Sequence, residues 1–407
     1  MRFFDLPASL SLLLITATLT VPLSDSRAQT APTDQIKAIS SLTLAAGNPE
    51  NLYLATRYGL LRAEPNGMAS LVPGITGGLT SLTAHPGESG TLLATGYSPD
   101  GAGLGVMMSA DGGENWTRIS EGVEGQTALH ALDFSRSDPQ IVYGVSDGVQ
   151  ISRDGGSSWT ATGKTPAEVF DLAVSAVSSD TVYAATRGGL FVSRDSGATW
   201  QPGDTVTNPA TMIYTAPGGR IYAFVLGAGL ITADEQDLSW TTLFTDTADR
   251  YLLNMIADPA TPERLYATVD TGAIMTSGDG GRSWSSFEGS HNASAERIAR
   301  GRQVFEDICQ ACHGERGVGE APDDPSAKDE FGFKAPALND ATHAWHHSDQ
   351  NLMKTVREGS PRNERMVAFK DTLSDEDVEN VVAYFKTLWG FRALACQGAR
   401  HMACMGH

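Results

Sequence analysis

The octapeptide SADGGENW (Ser109–Trp116) returns with little change as SRDGGSSW (Ser152–Trp159), SRDSGATW (Ser193–Trp200) and SGDGGRSW (Ser277–Trp284). A degenerate copy, TADEQDLSW, ends at Trp240, so successive tryptophans lie 43, 41, 40 and 44 residues apart. That period is the length of a four-stranded propeller blade. Each unit also holds alternating apolar runs broken at Gly, such as TVYAATRGGLFVS and RLYATVDTGAIMTS, which read as short antiparallel strands joined by tight turns. An earlier copy, NLYLATRYGLLRAEPNGMASL, lacks Trp and puts Leu71 near that slot. Six units over residues 32–290 predict an all-β six-bladed propeller.

The repeated tails resemble the Asp-box (BNR) repeat, S-x-D-x-G-x-x-W, of sialidase-like propellers. The resemblance implies structural roles. Asp111, Asp154, Asp195 and Asp279 are expected to hydrogen-bond a hairpin turn, the following glycines to take positive φ, and each Trp to wedge between blades. Sialidase chemistry would need three arginines around a carboxylate, a Tyr nucleophile with a Glu partner, and an acid/base Asp. No R-I-P-type motif stands near the start of the propeller, so that activity is not expected. One faint alternative remains: Arg57, Asp147, Arg187 and Asp270 occupy corresponding positions before the glycine turn of four blades. By analogy with other propellers they would face a ligand-binding funnel, or pair with one another across it.

Beyond the repeat, Cys309-Gln-Ala-Cys312-His313 is a C-x-x-C-H, the spacing that attaches a haem covalently. Two thiols one helical turn apart reach the two vinyl groups, and the adjacent His313 becomes the proximal iron ligand. Around it the pattern is helical. Ser294 is placed to cap a helix running into the motif, and Ser374, followed by Asp375, Glu376 and Asp377, to cap a closing one to Trp389. Gly301 and Phe305 lie four apart on one face. These features resemble a class I cytochrome c, giving an all-α domain over 293–391 after a short polar linker. The resemblance implies that Met366 is the distal ligand, although Val367 stands where the family has Pro. It also implies that the Pro336 carbonyl orients the proximal imidazole. Met353 is expected in the core of a helix starting at Ser348. His343, His346 and His347 form a polar rim or a metal site beside Trp345.

The segment 392–407 carries Cys396, His401, Met402, Cys404, Met405 and His407, a set of soft ligands suited to copper. The other reading is a Cys396–Cys404 disulfide pinning an exposed end.

A net charge of −19 disfavours nucleic acid as a partner. Residues 1–28 read as an export signal, with Arg2, an apolar run from Leu10 to Val21 and a small-x-small site at Ser26-Arg27-Ala28. No later stretch is apolar enough to span a membrane. Export suits a c-type haem, which bacteria attach outside the cytoplasmic membrane. The expected protein is thus a periplasmic electron carrier with one covalent haem c, a redox protein partner, and a propeller that docks a partner or ligand. Two other readings are a propeller oxidoreductase feeding electrons to the haem, and a copper-handling protein.

Overall fold

The computed structural model describes residues 30–45, 48–122, 129–204, 207–288 and 293–405. The expected export signal and His407 lie outside them.

Six antiparallel sheets follow one another along the chain, each with strands in sequential order. Their inner strands are Ile39–Ala45, Gly78–Ala84, Ala131–Phe134, Val169–Val174, Ala210–Thr215 and Leu252–Asp258. Blade 1 gains a fifth, outermost strand, Thr30–Pro32, paired with Met68–Leu71. Among the described residues no strand of blade 1 is borrowed to complete blade 6. Blades 6 and 1 instead meet through packed side chains, with Leu42, Leu52 and Leu54 against Tyr266, Ile274 and Phe287.

The repeated octapeptides are turn structure. In blade 3 the Ser152 hydroxyl donates to Asp154 and accepts from the Gly156 N–H, both at 2.8 Å. The Asp154 carboxylate also accepts from the backbone and hydroxyl of Ser158. Gly156 has φ +96°, a conformation that L side chains rarely adopt. Trp159 donates to the Gly156 carbonyl at 2.8 Å and packs against an apolar cluster that joins Leu93 and Val106 of blade 2 to Leu132 and Val142 of blade 3. Trp116, Trp200, Trp240 and Trp284 occupy equivalent seams.

The inner strands carry a second device that the repeat does not announce. In every blade at least one polar side chain reaches the backbone of the next inner strand. Ser41 donates to the Leu82 carbonyl, and Ser81 accepts from Leu132 N–H. Asp133 accepts from Val174 N–H at 2.8 Å and Asp171 from Ile213 N–H at 3.0 Å. Tyr214 accepts from Ala257 N–H, and Asn254 reaches the Ile39 carbonyl. Backbone groups facing the channel are thereby satisfied between sheets that share no ladder.

The C-terminal domain is helical: α1 (Ala295–Val304), α2 (Gln310–His313), α3 (Asp349–Glu358), α4 (Asp375–Lys386), α5 (Phe391–Ala395) and α6 (His401–Cys404). A π turn over Phe305–Cys309 joins α1 to α2. Ser294, Ser348 and Ser374 cap α1, α3 and α4 with their side chains, the last in a reciprocal box with Asp377. Helices α1 and α4 cross at Gly301, where a Cβ would run into the Asn380 carbonyl. One turn on, Phe305 and Tyr384 pack with centroids 5.4 Å apart. Among the described residues no helix is long and apolar enough to cross a membrane.

The segment after Trp389 is not an exposed end. Phe391, Leu394 and Cys396 are buried with Leu252, Val269 and Met275 of blade 6 in one apolar cluster. The Thr271 hydroxyl donates to the Ala395 carbonyl at 2.6 Å. Arg400 reaches the Thr33 carbonyl and the Glu288 carboxylate, both at 2.7 Å. Lys386, also buried, bonds the Glu288 carbonyl and both oxygens of Asp349. The last helices are therefore the joint between the two domains.

Candidate haem-binding site

His313 ends α2 and is buried, 8% exposed. Its Nδ1 lies 2.8 Å from the Pro336 carbonyl, a contact that makes Nδ1 the protonated nitrogen and leaves Nε2 to ligate. Burial lowers the imidazole pKa, opposed in part by that carbonyl, so the neutral ring is favoured. Gly314 (φ +75°) ends the helix and turns the chain back. The Gly319 N–H then bonds the His313 carbonyl at 2.6 Å, and Leu338 N–H bonds the Gly317 carbonyl at 2.8 Å. A Cβ at Gly319 would press on the Ala337 nitrogen at 2.7 Å, so glycine there lets the segment around Pro336 lie close to the histidine.

Cys309 and Cys312 are free thiols, Cys309 half-buried and Cys312 exposed. Burial, with Cys312 nearby, pushes the Cys309 thiol up to about 11. Ile308, Leu338, Met353, Val356, Phe369 and Leu388 are apolar and only partly covered by protein around this end of α1. Two thiols a turn apart, a neutral histidine with one nitrogen already committed, and a partly covered apolar wall fit a covalently attached haem.

Met366 is half-buried on the loop between α3 and α4. Its carbonyl accepts from Ser360 N–H at 2.9 Å, and its own N–H bonds the Asn363 carbonyl at 3.1 Å. Met353, on α3, packs among the apolar residues of the domain, as expected of a core side chain.

Cys396 and Cys404 are joined in a buried disulfide, so they supply no thiolates for a soft metal. Met402 and Met405 are exposed, and His401 stacks on His346 with centroids 4.8 Å apart. Among the described residues no group of His, Cys, Asp and Glu is arranged to hold a metal ion. Arg57 bonds its neighbour Tyr58, Arg187 pairs with Glu168 at 2.7 Å, and Asp270 pairs with Arg250 at 3.1 Å. These residues, with Asp147, sit in turns between second and third strands. The central cavity, about 520 Å³, is lined instead by inner strands and the turns that follow them, including His85, Asp133, Arg136, Asp171 and Tyr214. Antiparallel strand order puts those two sets of turns at opposite ends of a blade, so the four residues do not meet in the cavity.

Sequence reasoning missed the belt residues Asp133 and Asp171, the joint residues Glu288 and Arg400, and a pairing of Arg365 with Glu320 beside the haem motif. Each depends on contacts between distant segments, and no local spacing announces it.

The family described as cytochrome c oxidase, cbb3-type, subunit III matches residues 296–385. No curated protein matches the chain. Among solved structures, a GH74 xyloglucanase from Xanthomonas campestris is 15% identical, with a TM-score of 0.45 over 64% of this chain and 46% of that one. A GH74 enzyme from Niastella koreensis is 16% identical, with a TM-score of 0.46 over 61% and 45%. YCF48 bound to a D1 peptide is 14% identical, with a TM-score of 0.42 over 64% and 86%. The chain spans under half the length of either GH74 protein, and at these scores the likenesses say nothing of activity. The family match and the site geometry agree on one statement: residues 296–385 are a cytochrome c domain, carried behind a six-bladed β-propeller.

Proposed function

We propose that this protein is an exported single-electron carrier. One haem would be attached to Cys309 and Cys312 and ligated by His313 and Met366, and the propeller would dock a redox partner. The observation that carries the reading is the His313–Pro336 contact directly behind two free thiols. A haem iron so held supplies one-electron exchange between its ferrous and ferric states. The chain's own part is to fix the imidazole tautomer and enclose the site in apolar side chains, with His313 and Met366 the residues that would hold the iron. With both of them bound, the haem would supply electron exchange and not oxygen chemistry, which favours a carrier over an oxygenase. Export rests on the 1–28 pattern and on the disulfide, which persists in oxidising compartments.

The test begins with attachment. After denaturation and acid–acetone extraction, haem should stay with the polypeptide, and Cys309→Ala and Cys312→Ala should each impair loading; release of haem into the organic phase would defeat the proposal. Met366→Ala should remove the far-red charge-transfer band of thioether–iron ligation and open the iron to carbon monoxide, whereas Met353→Ala should do neither.

A second reading is favoured by the central cavity and its two inward carboxylates. In it the propeller oxidises a substrate and passes electrons to the haem. Substrate-dependent haem reduction in purified protein, lost on a cavity substitution, would select it.

A further inference from the structure

One guanidinium joins the Met366 loop to the proximal half of the site. Arg365 donates to both carboxylate oxygens of Glu320, with the Nη1 bond at 3.2 Å, and Nη2 lies 3.0 Å from Asp329. The guanidinium carbon stands 6.0 Å from the Phe331 ring centroid. These three charged side chains are 25–34% exposed, so solvent screens them only partly.

Glu320 leads directly to the histidine. Its N–H bonds the Ala335 carbonyl at 3.0 Å, and its carboxylate accepts from Ala335 N–H at 3.2 Å. The next residue, Pro336, orients His313. On the other side Arg365 immediately precedes Met366. The same loop is tied at Asn363, which bridges to Gly332 and donates to the Phe333 carbonyl. A short path of bonds thus runs from the proximal imidazole through Pro336, Ala335 and Glu320 to Arg365 and Met366. It supplies a tether on a loop where Val367, exposed, stands in place of a stiffening proline.

We propose that Arg365 is a positioning residue that clamps the Met366 loop to the proximal loop through Glu320 and Asp329, and so sets how readily the thioether leaves the iron. The proposal rests on Met366 being the sixth ligand. For the thioether to leave, its loop must swing outward, and that motion has to break a bidentate charge-assisted pair and a second ion pair. Isolated surface pairs contribute little, but bidentate geometry within a three-charge network is where such contacts count.

The experiment is a carbon monoxide titration of the ferrous, haem-loaded full chain, with the unfolding midpoint measured alongside. Arg365→Gln should raise apparent affinity for carbon monoxide about fivefold and Glu320→Gln somewhat less, since Arg365 keeps Asp329; the double variant should go little beyond Arg365→Gln, because Glu320 acts through that guanidinium. Arg365→Lys, which retains the charge without the fork, should fall between Gln and wild type. Carbon monoxide affinity unchanged in both single variants, or single effects that simply add, would overturn the clamp while Met366→Ala still opened the iron. If Met366→Ala left carbon monoxide excluded, the sixth-ligand reading would fall and take the clamp with it.

Discussion

Arg400 and Glu288 form a 2.7 Å ion pair across the domain joint, with side chains 2% and 11% exposed. Burial alone would raise the Glu288 pKa; the adjacent Arg400 guanidinium, with the Thr33 hydroxyl and the Lys386 charge, more than offsets it and holds the carboxyl below its ordinary value. Arg400 also satisfies the Thr33 carbonyl, so one side chain from the end of the chain ties down its first described segment.

Arg400→Met should cost about 3–5 kcal/mol, because it leaves Glu288 buried beside fewer cations. Glu288→Gln should cost less, since the amide still accepts a hydrogen bond and Arg400 keeps the Thr33 carbonyl. Urea unfolding followed by haem absorbance and by Trp fluorescence would check this, in a background where Trp345 and Trp389 of the helical domain are changed to Phe so that the remaining tryptophans report the blades. Wild type should give coincident transitions, and Arg400→Met should separate them as the helical domain comes loose from the blades.

Trp159→Ala tests the seam between blades. The ring is half-buried and touches apolar side chains of both neighbours, so its loss should cost about 2–4 kcal/mol, somewhat under a fully buried Trp. Trp159→Phe should recover most of that, forfeiting chiefly the bond to the Gly156 carbonyl. Thermal melts of the three proteins would decide, and a fully tolerated Ala would mean that the turn, not the wedge, carries the repeat.

Much of this architecture is legible in the sequence because it is local. The octapeptides encode a turn whose partners lie within four residues, and the thiols and histidine of the haem motif occupy one helical turn. Gly301 and Phe305 are readable as a crossing because their spacing fixes a helix face. Of the two readings of the tail, the structure holds the Cys396–Cys404 disulfide. Spacing does not place that disulfide beneath blade 6, nor bring Arg400 to Glu288, 112 residues away. A residue's place in the repeat fixes which turn it occupies, and Arg57, Asp147, Arg187 and Asp270 are in turns at the other end of the blades from those that line the cavity.

The Cys396–Cys404 disulfide closes a short loop at that same joint, with α5 and α6 on either side. Reduction should loosen the helical domain and leave the blades intact. Under reductant, the haem-reported transition should therefore move to lower urea while the Trp-reported one stays. Equal shifts in both would show that the joint stabilises the propeller as much as the cytochrome domain.

The inner belt predicts an unusual pH dependence. Burial pushes Asp133 up to about 6 and Asp171 up to about 7, with Asp133 adding repulsion at Asp171. Their backbone partners, Val174 N–H and Ile213 N–H, oppose the rise without cancelling it. Both carboxyls thus hold protons in the folded protein at pH values where the unfolded chain has released them. The sign follows by linkage: stability from these groups is greatest below the ordinary Asp value of 3.8, declines as pH rises through the folded values, and is level above about 7. For Asp171 the full decline is at most about 4 kcal/mol, and solvent in the channel reduces it. Asp171→Asn and Asp133→Asn keep an acceptor for the same N–H groups and cannot ionise. Each variant should therefore match wild type in acid and exceed it at neutral pH, the gap opening across that window. Comparison with wild type at each pH cancels the opposite slope of the turn carboxylates, which hydrogen bonds hold below their ordinary values. A variant less stable than wild type at neutral pH would show instead that the channel requires charged carboxylates, as it would if a cation bound there.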